Sequence, residues 1–332
     1  MSLVRRWWVL GLASVLLAQD APFRAQTQVV QVPVGVTDKG GRSVNNLVAA
    51  DFTVLDNGDP QKVTLDDVTA AAPISLAIVI QSSGISKPVL PRLRKIGGMI
   101  QPLVTGAQGR VAVVTFDSRI HWVQDFISDD DKIRSAFKNL SVGLDLQESR
   151  LLDAVVVVAG HLEQRQGRKI LLLISESRDR GSETKIGQAL EAVERGGIEV
   201  FAAHYSAFAS NVFSKSKDLP DLSAPPEFPD DPSEAPNPPP TVNFMAIFSE
   251  LARKGKANAT QALSQATGGA DYPFLKERGI ESAIERLGED VHSQYILSFP
   301  QHGGAEGLHA LEVSVPNHPD LRIRSRRGYW AQ

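Results

Sequence analysis

Apolar and polar positions fall into three successive patterns along the chain. Val30, Val32, Val34 and Val36 alternate with Gln31, Pro33 and Gly35, which predicts a half-buried strand, and the proline marks it as an edge strand. Phe52, Thr53, Val54 and Leu55 run into Asp56-Asn57-Gly58, where Asn-Gly supplies positive φ cheaply. A hairpin is expected there, returning through Val63 and Leu65. From Ile74 the pattern changes to strand–helix alternation. Ile74, Leu76, Ala77, Ile78, Val79 and Ile80 read as a strand buried on both faces. Leu93, Ile96, Ile100 and Leu103 then share a helix face, followed by a strand over 111–116 and a short helix through Ile133, Phe137 and Leu140. Leu151, Leu152, Val155, Val158 and Leu162 predict a longer helix, and 170–174 another buried strand. Ile186, Ala189, Leu190 and Val193 lead to a strand over 198–201. A helix is expected from Phe244, Phe248 and Leu251 toward a glycine cap at Thr267-Gly268-Gly269, and a last one through Ile284, Leu287 and Val291. The tail is β again: 295–299, then Leu311, Val313 and Val315, then a strand over 321–327.

This order predicts an α/β fold: a doubly wound, mostly parallel, Rossmann-like sheet inserted in a small β domain that the N- and C-terminal flanks form together. The expected division is a β flank over 27–70, an α/β domain over 73–291 and a second β flank over 292–330. Nine of the twenty prolines lie between Pro220 and Pro240 among acidic residues, so 207–243 reads as an acidic, proline-rich loop.

Composition narrows the class. With 42% apolar and 22% charged residues, 332 residues suffice for a sizeable core. A formal charge of -3 speaks against a nucleic-acid partner. Arg5 and Arg6 precede an apolar run ending at Ala18, the layout of a signal peptide over 1–18, with Ala25 as a second cleavage position. That run is shorter than the roughly 20 residues of a membrane-spanning helix. The expectation is an exported chain, periplasmic or extracellular, with no transmembrane helix once processed. Zero cysteines exclude disulfides and thiol chemistry.

The chemistry concentrates where the first buried strand ends, in Gln81-Ser82-Ser83-Gly84. Carboxyl ends of strands in open α/β sheets are where ligands bind. Elsewhere the seven histidines show no zinc spacing, no Gly-x-Ser-x-Gly elbow surrounds Ser82 or Ser83, and no Gly-x-Gly-x-x-Gly follows the strand.

Taken with the opening segment 34–41, the stretch 50–58, Ala266-Thr267-Gly268-Gly269, Gln294-Tyr295-Ile296-Leu297 and the terminal Arg327-Gly328-Tyr329, the chain resembles the von Willebrand factor type A (VWA) domain. More narrowly, it resembles the VWFA-related subfamily of secreted, acidobacterial-type proteins. The resemblance implies a metal-ion-dependent adhesion site built from three loops: Asp-x-Ser-x-Ser, then a Thr or Ser, then an Asp. Carried onto this chain, those positions are Gln81, Ser83 and Ile85; Ser149; and Glu176. Gln81 replaces an anion by a neutral amide, Ile85 offers no oxygen, and Glu176 sets its charge one methylene further out. If Mg2+ or Mn2+ bound, Ser83, Ser149 and Glu176 would be its ligands. One carboxylate and two hydroxyls are a poor set for an ion that wants near-octahedral oxygen, so the expectation is a degenerate site with no metal and no other cofactor.

Each residue also has a purely structural reading. Gln81 and Ser83 would hydrogen-bond backbone groups at the strand-to-helix turn. Ser149 would cap the helix starting near Arg150. Glu176 would pair with Arg178 or Arg180 on the surface, and Asp179 would stand in for a displaced acid. The face shared by Arg322, Arg324 and Arg326 reads either as a solvated strand face or as an anion contact. Three functions remain open. The first is a non-enzymatic adhesion module binding a protein or cell-envelope ligand around Gln81, Ser83, Ser149 and Glu176. The second is a structural spacer or scaffold whose contacts come from the β domain or the proline-rich loop. The third is a serine hydrolase using Ser83, for which no positioned base is visible.

Overall fold

The computed structural model describes residues 29–66, 73–143, 148–205, 258–274, 279–301 and 307–331. The expected signal peptide over 1–18, the proline-rich loop over 207–243 and the helix start at Phe244, Phe248 and Leu251 lie outside the described residues.

The N-terminal flank forms β1 (Val29–Thr37), β2 (Thr53–Asp56), β3 (Asp59–Gln61) and β4 (Thr64–Leu65). The α/β part follows as β5 (Ile74–Gln81), α1 (Leu90–Ile100), β6 (Arg110–Phe116), β7 (Ile120–Ile127), α2 (Asp130–Lys138), α3 (Leu151–Glu163), β8 (Arg168–Ser175), α4 (Ile186–Arg195) and β9 (Ile198–His204). It continues with α5 (Ala259–Thr267), β10 (Asp271–Pro273) and α6 (Gly279–Ser293). The C-terminal flank is β11 (Tyr295–Pro300), β12 (Gly307–Ser314), β13 (Arg322–Ser325) and β14 (Gly328–Ala331).

The central sheet has the order β10-β9-β8-β5-β6-β7, parallel throughout except for β7. Its inner strands alternate between two cores because successive side chains point to opposite faces. Ile74, Leu76, Ile78 and Ile80 of β5 pack with residues of α1, α2 and α6 such as Leu93, Phe137 and Ile284. Ala77 and Val79 turn the other way and pack with α3, α4 and α5 through Val155, Leu190 and Leu263. This two-faced burial is the doubly wound α/β architecture that the apolar runs predicted.

The flanks interleave. β1 pairs with β11, setting Val32 opposite Leu297, and β2 pairs with β12, setting Val54 opposite Val313. Two four-stranded sheets result, β13-β1-β11-β4 and β14-β12-β2-β3. They share one core containing Val34, Phe52, Val54, Leu297, Phe299 and Tyr329. Asn57 (φ 50°) and Gly58 (φ 89°) both adopt left-handed backbone, so the two-residue hairpin predicted from Asn-Gly forms between Asp56 and Asp59.

Several local expectations are corrected. β1 is not an edge strand but lies between β13 and β11. Its pairing with β13 starts only at Val34, so Pro33 precedes that ladder. The hairpin returns through Asp59, Pro60 and Gln61, whereas Thr64 and Leu65 cross to the other flank sheet against β11. β7 is an addition to the expected strands; polar His121, Gln124 and Asp125 break its apolar pattern, and its ladder with β6 carries register shifts. The helix ending at Thr267 starts at Ala259, because the Asn258 side chain accepts from Gln261 N and caps it. Its end matches expectation, with Gly268 left-handed at φ 81°. A side chain at Gly268 would place its Cβ 2.6 Å from Arg326 N.

Arg324 and Arg326 are neither solvated nor free for an external anion. Arg324 grips Asp290 of α6 at 2.6 Å, and the Tyr272 hydroxyl donates to the same carboxylate. Arg326 pairs with Glu194 of α4 at 3.0 Å. A third pair, Arg168 with Glu199 at 3.3 Å, is completed by Gln294, which bonds to both partners. These contacts fasten the C-terminal flank and its approach to the α/β layers.

Candidate functional site

β5, β6 and β8 lie side by side, so their carboxyl ends bring three loops to one mouth. The polar residues Gln81, Ser82, Ser83, Ser86, Asp117, Ser149, Ser175 and Glu176 there are all buried. Burying so many polar groups costs stability unless each finds a partner, so their partners are informative.

Gln81 is the hub. Its Oε1 accepts from the backbone N–H of Glu176 at 2.7 Å, and its Nε2 donates to Ser83 Oγ at 2.8 Å. One amide therefore ties the first loop to the third, a bridge between residues 95 apart in sequence. A carboxylate at this position could accept both bonds but donate none. Ser82 fastens the first loop to β6: its N–H and its hydroxyl both donate to the Phe116 carbonyl, at 2.8 and 3.1 Å. Its own carbonyl accepts from Gly143 N at 2.8 Å.

Ile85 is half-buried and packs against the apolar cluster that includes Leu90 and Leu93. Ser86 does not replace the missing ligand oxygen, because its Oγ meets the Tyr205 hydroxyl at 2.7 Å. Burial pushes the Tyr205 hydroxyl well above its ordinary pKa; the Ser86 contact opposes this and the nearby Glu176 charge adds to it.

Ser149 precedes α3 but does not cap it; the position before the helix is Arg150, which makes no capping bond. Asp179 does that work instead: its Oδ1 accepts from Leu152 N at 3.1 Å and from Ser182 Oγ at 2.6 Å. From the loop after β8 it satisfies the first turn of α3, which occupies the oxygen that a displaced ligand would have offered. Ser149 is held by its backbone, exchanging bonds with Arg180 at 2.8 and 3.0 Å. Its hydroxyl is buried with no hydrogen-bond partner. Glu176 is likewise buried rather than on the surface, and its Oε2 has no hydrogen bond. It does form the ion pair with Arg180, at 3.3 Å.

The structure thus gathers Gln81, Ser83, Ser149 and Glu176 into one region, while Ile85 leaves it for the core. Sequence reasoning missed three contributors. Asp117 is buried at the end of β6, accepts from Arg119 N at 2.8 Å, and faces Gly143 so closely that a Cβ there would lie 2.0 Å from Oδ2. Tyr205 and Ser82, which tie the first loop to the ends of β9 and β6, are the others. An acid directly after a buried strand, as in Phe116-Asp117, was the available signal for the first.

A resident divalent ion does not fit these residues. Ser83 Oγ already accepts an amide N–H, and the Glu176 charge is already met by a guanidinium. Ser149 Oγ makes no hydrogen bond and Glu176 Oε2 has only the Arg180 ion pair, far short of the six oxygens such an ion gathers. Among the described residues no cluster of three or more His, Cys, Asp or Glu could hold a metal.

A recess of about 890 Å³ lies elsewhere, lined by residues that include Arg42, Tyr272, Arg286, Asp290, Arg322 and Arg324. Several of its charges are spoken for: Arg42 pairs with Asp38, Arg324 with Asp290, and Arg286 lies over the Tyr272 ring. It belongs to the junction of the flank with the α/β layers. No described helix is long and apolar enough to cross a membrane.

No family model matches the chain, and no curated protein matches it. Solved structures do. An aerotolerance-related membrane protein from Bacteroides fragilis is 11% identical, covering 66% of this chain and 98% of its own, with a TM-score of 0.43. Proximal thread matrix protein 1 from the mussel byssus, described with a zinc-occupied MIDAS motif, is 12% identical over 73% of this chain and 50% of its own, with a TM-score of 0.44. The vWF domain of the type V pili tip protein Mfa5 from Porphyromonas gingivalis is 16% identical over 33% of this chain and 40% of its own, with a TM-score of 0.28. This chain spans half or less of the latter two. Likenesses this distant assign it neither a family nor a ligand.

Proposed function

We propose that this chain is an exported, non-enzymatic protein-binding module of VWA type whose binding mouth works without a resident metal. The observation that carries this reading is the Gln81 bridge. The amide donates to Ser83 and accepts from Glu176 N–H, holding together by internal hydrogen bonds two loops that an ion would otherwise organise. Ser149 Oγ and Glu176 Oε2, buried without hydrogen bonds, support reading the mouth as a surface that a partner completes. The non-enzymatic part rests on Ser83: it is fully buried, and its hydroxyl engages Gln81 rather than a histidine. Export rests on the charged-then-apolar start of the sequence.

Two measurements test the reading. Calorimetric titration of the full chain with Mg2+ and Mn2+ is expected to show no saturable binding; micromolar affinity abolished by Glu176→Ala would overturn the metal-free part. A photo-crosslinking residue at Lys87 or Arg178, exposed positions just after Ser86 and Glu176 in the first and third loops, is expected to capture a protein from the envelope or medium. The same probe at exposed Val157 on α3 is expected to capture none. Equal capture at all three positions, or none at the mouth, would sink the binding reading.

A further inference from the structure

Ser149 Oγ and Glu176 Oε2 are two of only six buried side-chain polar atoms without a hydrogen-bond partner among the described residues, and the Ser149–Arg180 backbone bridge joins their loops. A carboxylate oxygen can only accept, so Glu176 needs a donor. Ser149 is tied to the loop that carries Glu176, because its backbone is paired to Arg180, four residues further on. A partner carboxylate is disfavoured there, since it would meet the Glu176 charge head-on. An ammonium or guanidinium group suits the site, because it carries three to five donors, no acceptor and the opposite charge.

The chain already places one such group nearby. The Arg180 guanidinium stands 3.3 Å from Glu176 Oε2 without forming a hydrogen bond to it, and its side chain is 45% exposed. The carboxylate is buried but its cation is half-exposed, so the guanidinium can leave toward solvent when another cation takes its place. Its backbone is pinned by Ser149, so only the side chain need swing away. We propose that the mouth accepts a basic side chain, lysine or arginine, of a partner protein, and that Arg180 is the chain's own occupant, which the partner's group displaces. This rests on the mouth being the binding surface, and it names what that surface reads.

The test is an NMR titration of the isotope-labelled full chain with N-methylguanidinium and n-butylammonium chloride. Tetramethylammonium chloride, which carries charge but no donor, and magnesium chloride serve as comparisons. The reporters are the Gln81 side-chain amide and the Glu176 backbone amide, which are bonded to each other. Saturable shifts are expected with the two donors and not with tetramethylammonium. Arg180→Ala is expected to tighten binding by about two- to fivefold, the worth of an exposed ion pair. Glu176→Gln, its fold checked by the unchanged remainder of the spectrum, is expected to weaken it by about tenfold or more.

Equal shifts from tetramethylammonium, no saturable shift from the donors, or indifference to Glu176→Gln would overturn the proposal. So would magnesium-induced shifts reversed by chelation, which would make the orphaned oxygens metal ligands. Failure here is separable from failure of the binding reading. A protein captured at Lys87 or Arg178 that the basic probes do not displace would leave a binding module and remove its basic specificity. Probe binding with no protein captured there would do the reverse.

Discussion

The two ends of the central sheet bury charge in opposite ways. Where β8 and β9 begin, Arg168, Glu199 and Gln294 form a closed set, with Gln294 bonded to both ions and Arg168 also donating to the Val291 carbonyl at 2.9 Å. Where β5 and β8 end, Glu176 and Ser149 are as deeply buried, yet each keeps an oxygen without a hydrogen bond. The first arrangement is structural: it joins a flank to the α/β layers and leaves nothing over. The second is only partly compensated, by the Arg180 ion pair, and buried groups left without hydrogen bonds in a native protein call for an explanation other than stability.

The largest effect should come from breaking the closed end. Arg168→Ala leaves Glu199 buried without its cation and should cost about 3–5 kcal/mol in urea unfolding. A loss below about 1 kcal/mol would mean that Gln294 alone suffices and that the two ends of the sheet hold their charges in much the same way.

Next is a pH effect from the neighbouring pair. Burial lifts the Glu194 carboxyl from its ordinary value to about 7, against the opposing pull of Arg326. A carboxyl raised in the folded state binds a proton that the unfolded chain has already lost. Its contribution is therefore complete below pH 4.5 and disappears as pH climbs through about 7. Stability of the wild type relative to Glu194→Gln should fall across that window by roughly 1–3 kcal/mol, measured by denaturation at fixed pH values. A flat difference would show that Arg326 holds Glu194 ionised throughout.

At the mouth, Gln81→Leu should cost about 1–3 kcal/mol, because it leaves both Ser83 Oγ and the Glu176 N–H buried without the bonds they now have. An unchanged unfolding midpoint would mean that water replaces the amide and that the bridge is not what organises the loops. The smallest effect has the opposite sign. Ser149→Ala removes an orphaned hydroxyl and should be neutral or stabilising by up to about 1 kcal/mol, while weakening the binding of basic probes. Clear destabilisation would show that this hydroxyl has a partner after all.

Much of the architecture is legible in the order of the residues. The unbroken apolar character of β5 and β8 requires helices on both faces, and Asn57-Gly58 specifies its own hairpin. The location of the mouth follows from the polar residues that stop β5. β7 escapes notice because an edge strand buries only part of itself, so its polar residues hide the alternation. The roles of Asp179, Arg324 and Arg326 are illegible for a different reason. Their partners at Leu152, Asp290 and Glu194 lie 27, 34 and 132 residues away, and nothing in the local pattern points to them.

By itself the sequence determined what depends on near neighbours: the period of the apolar residues, the left-handed turn at Asn57-Gly58, the glycine that ends α5, and the loss of ligand oxygens at Gln81 and Ile85. Tertiary structure alone decided which polar groups became satisfied. Gln81 could have been a vestige, but the loops that meet there make it a bridge. Ser149 could have capped a helix, but Asp179 reaches α3 first. A hydrogen bond needs two atoms within about 3 Å in three dimensions, a condition that spacing along a chain does not contain.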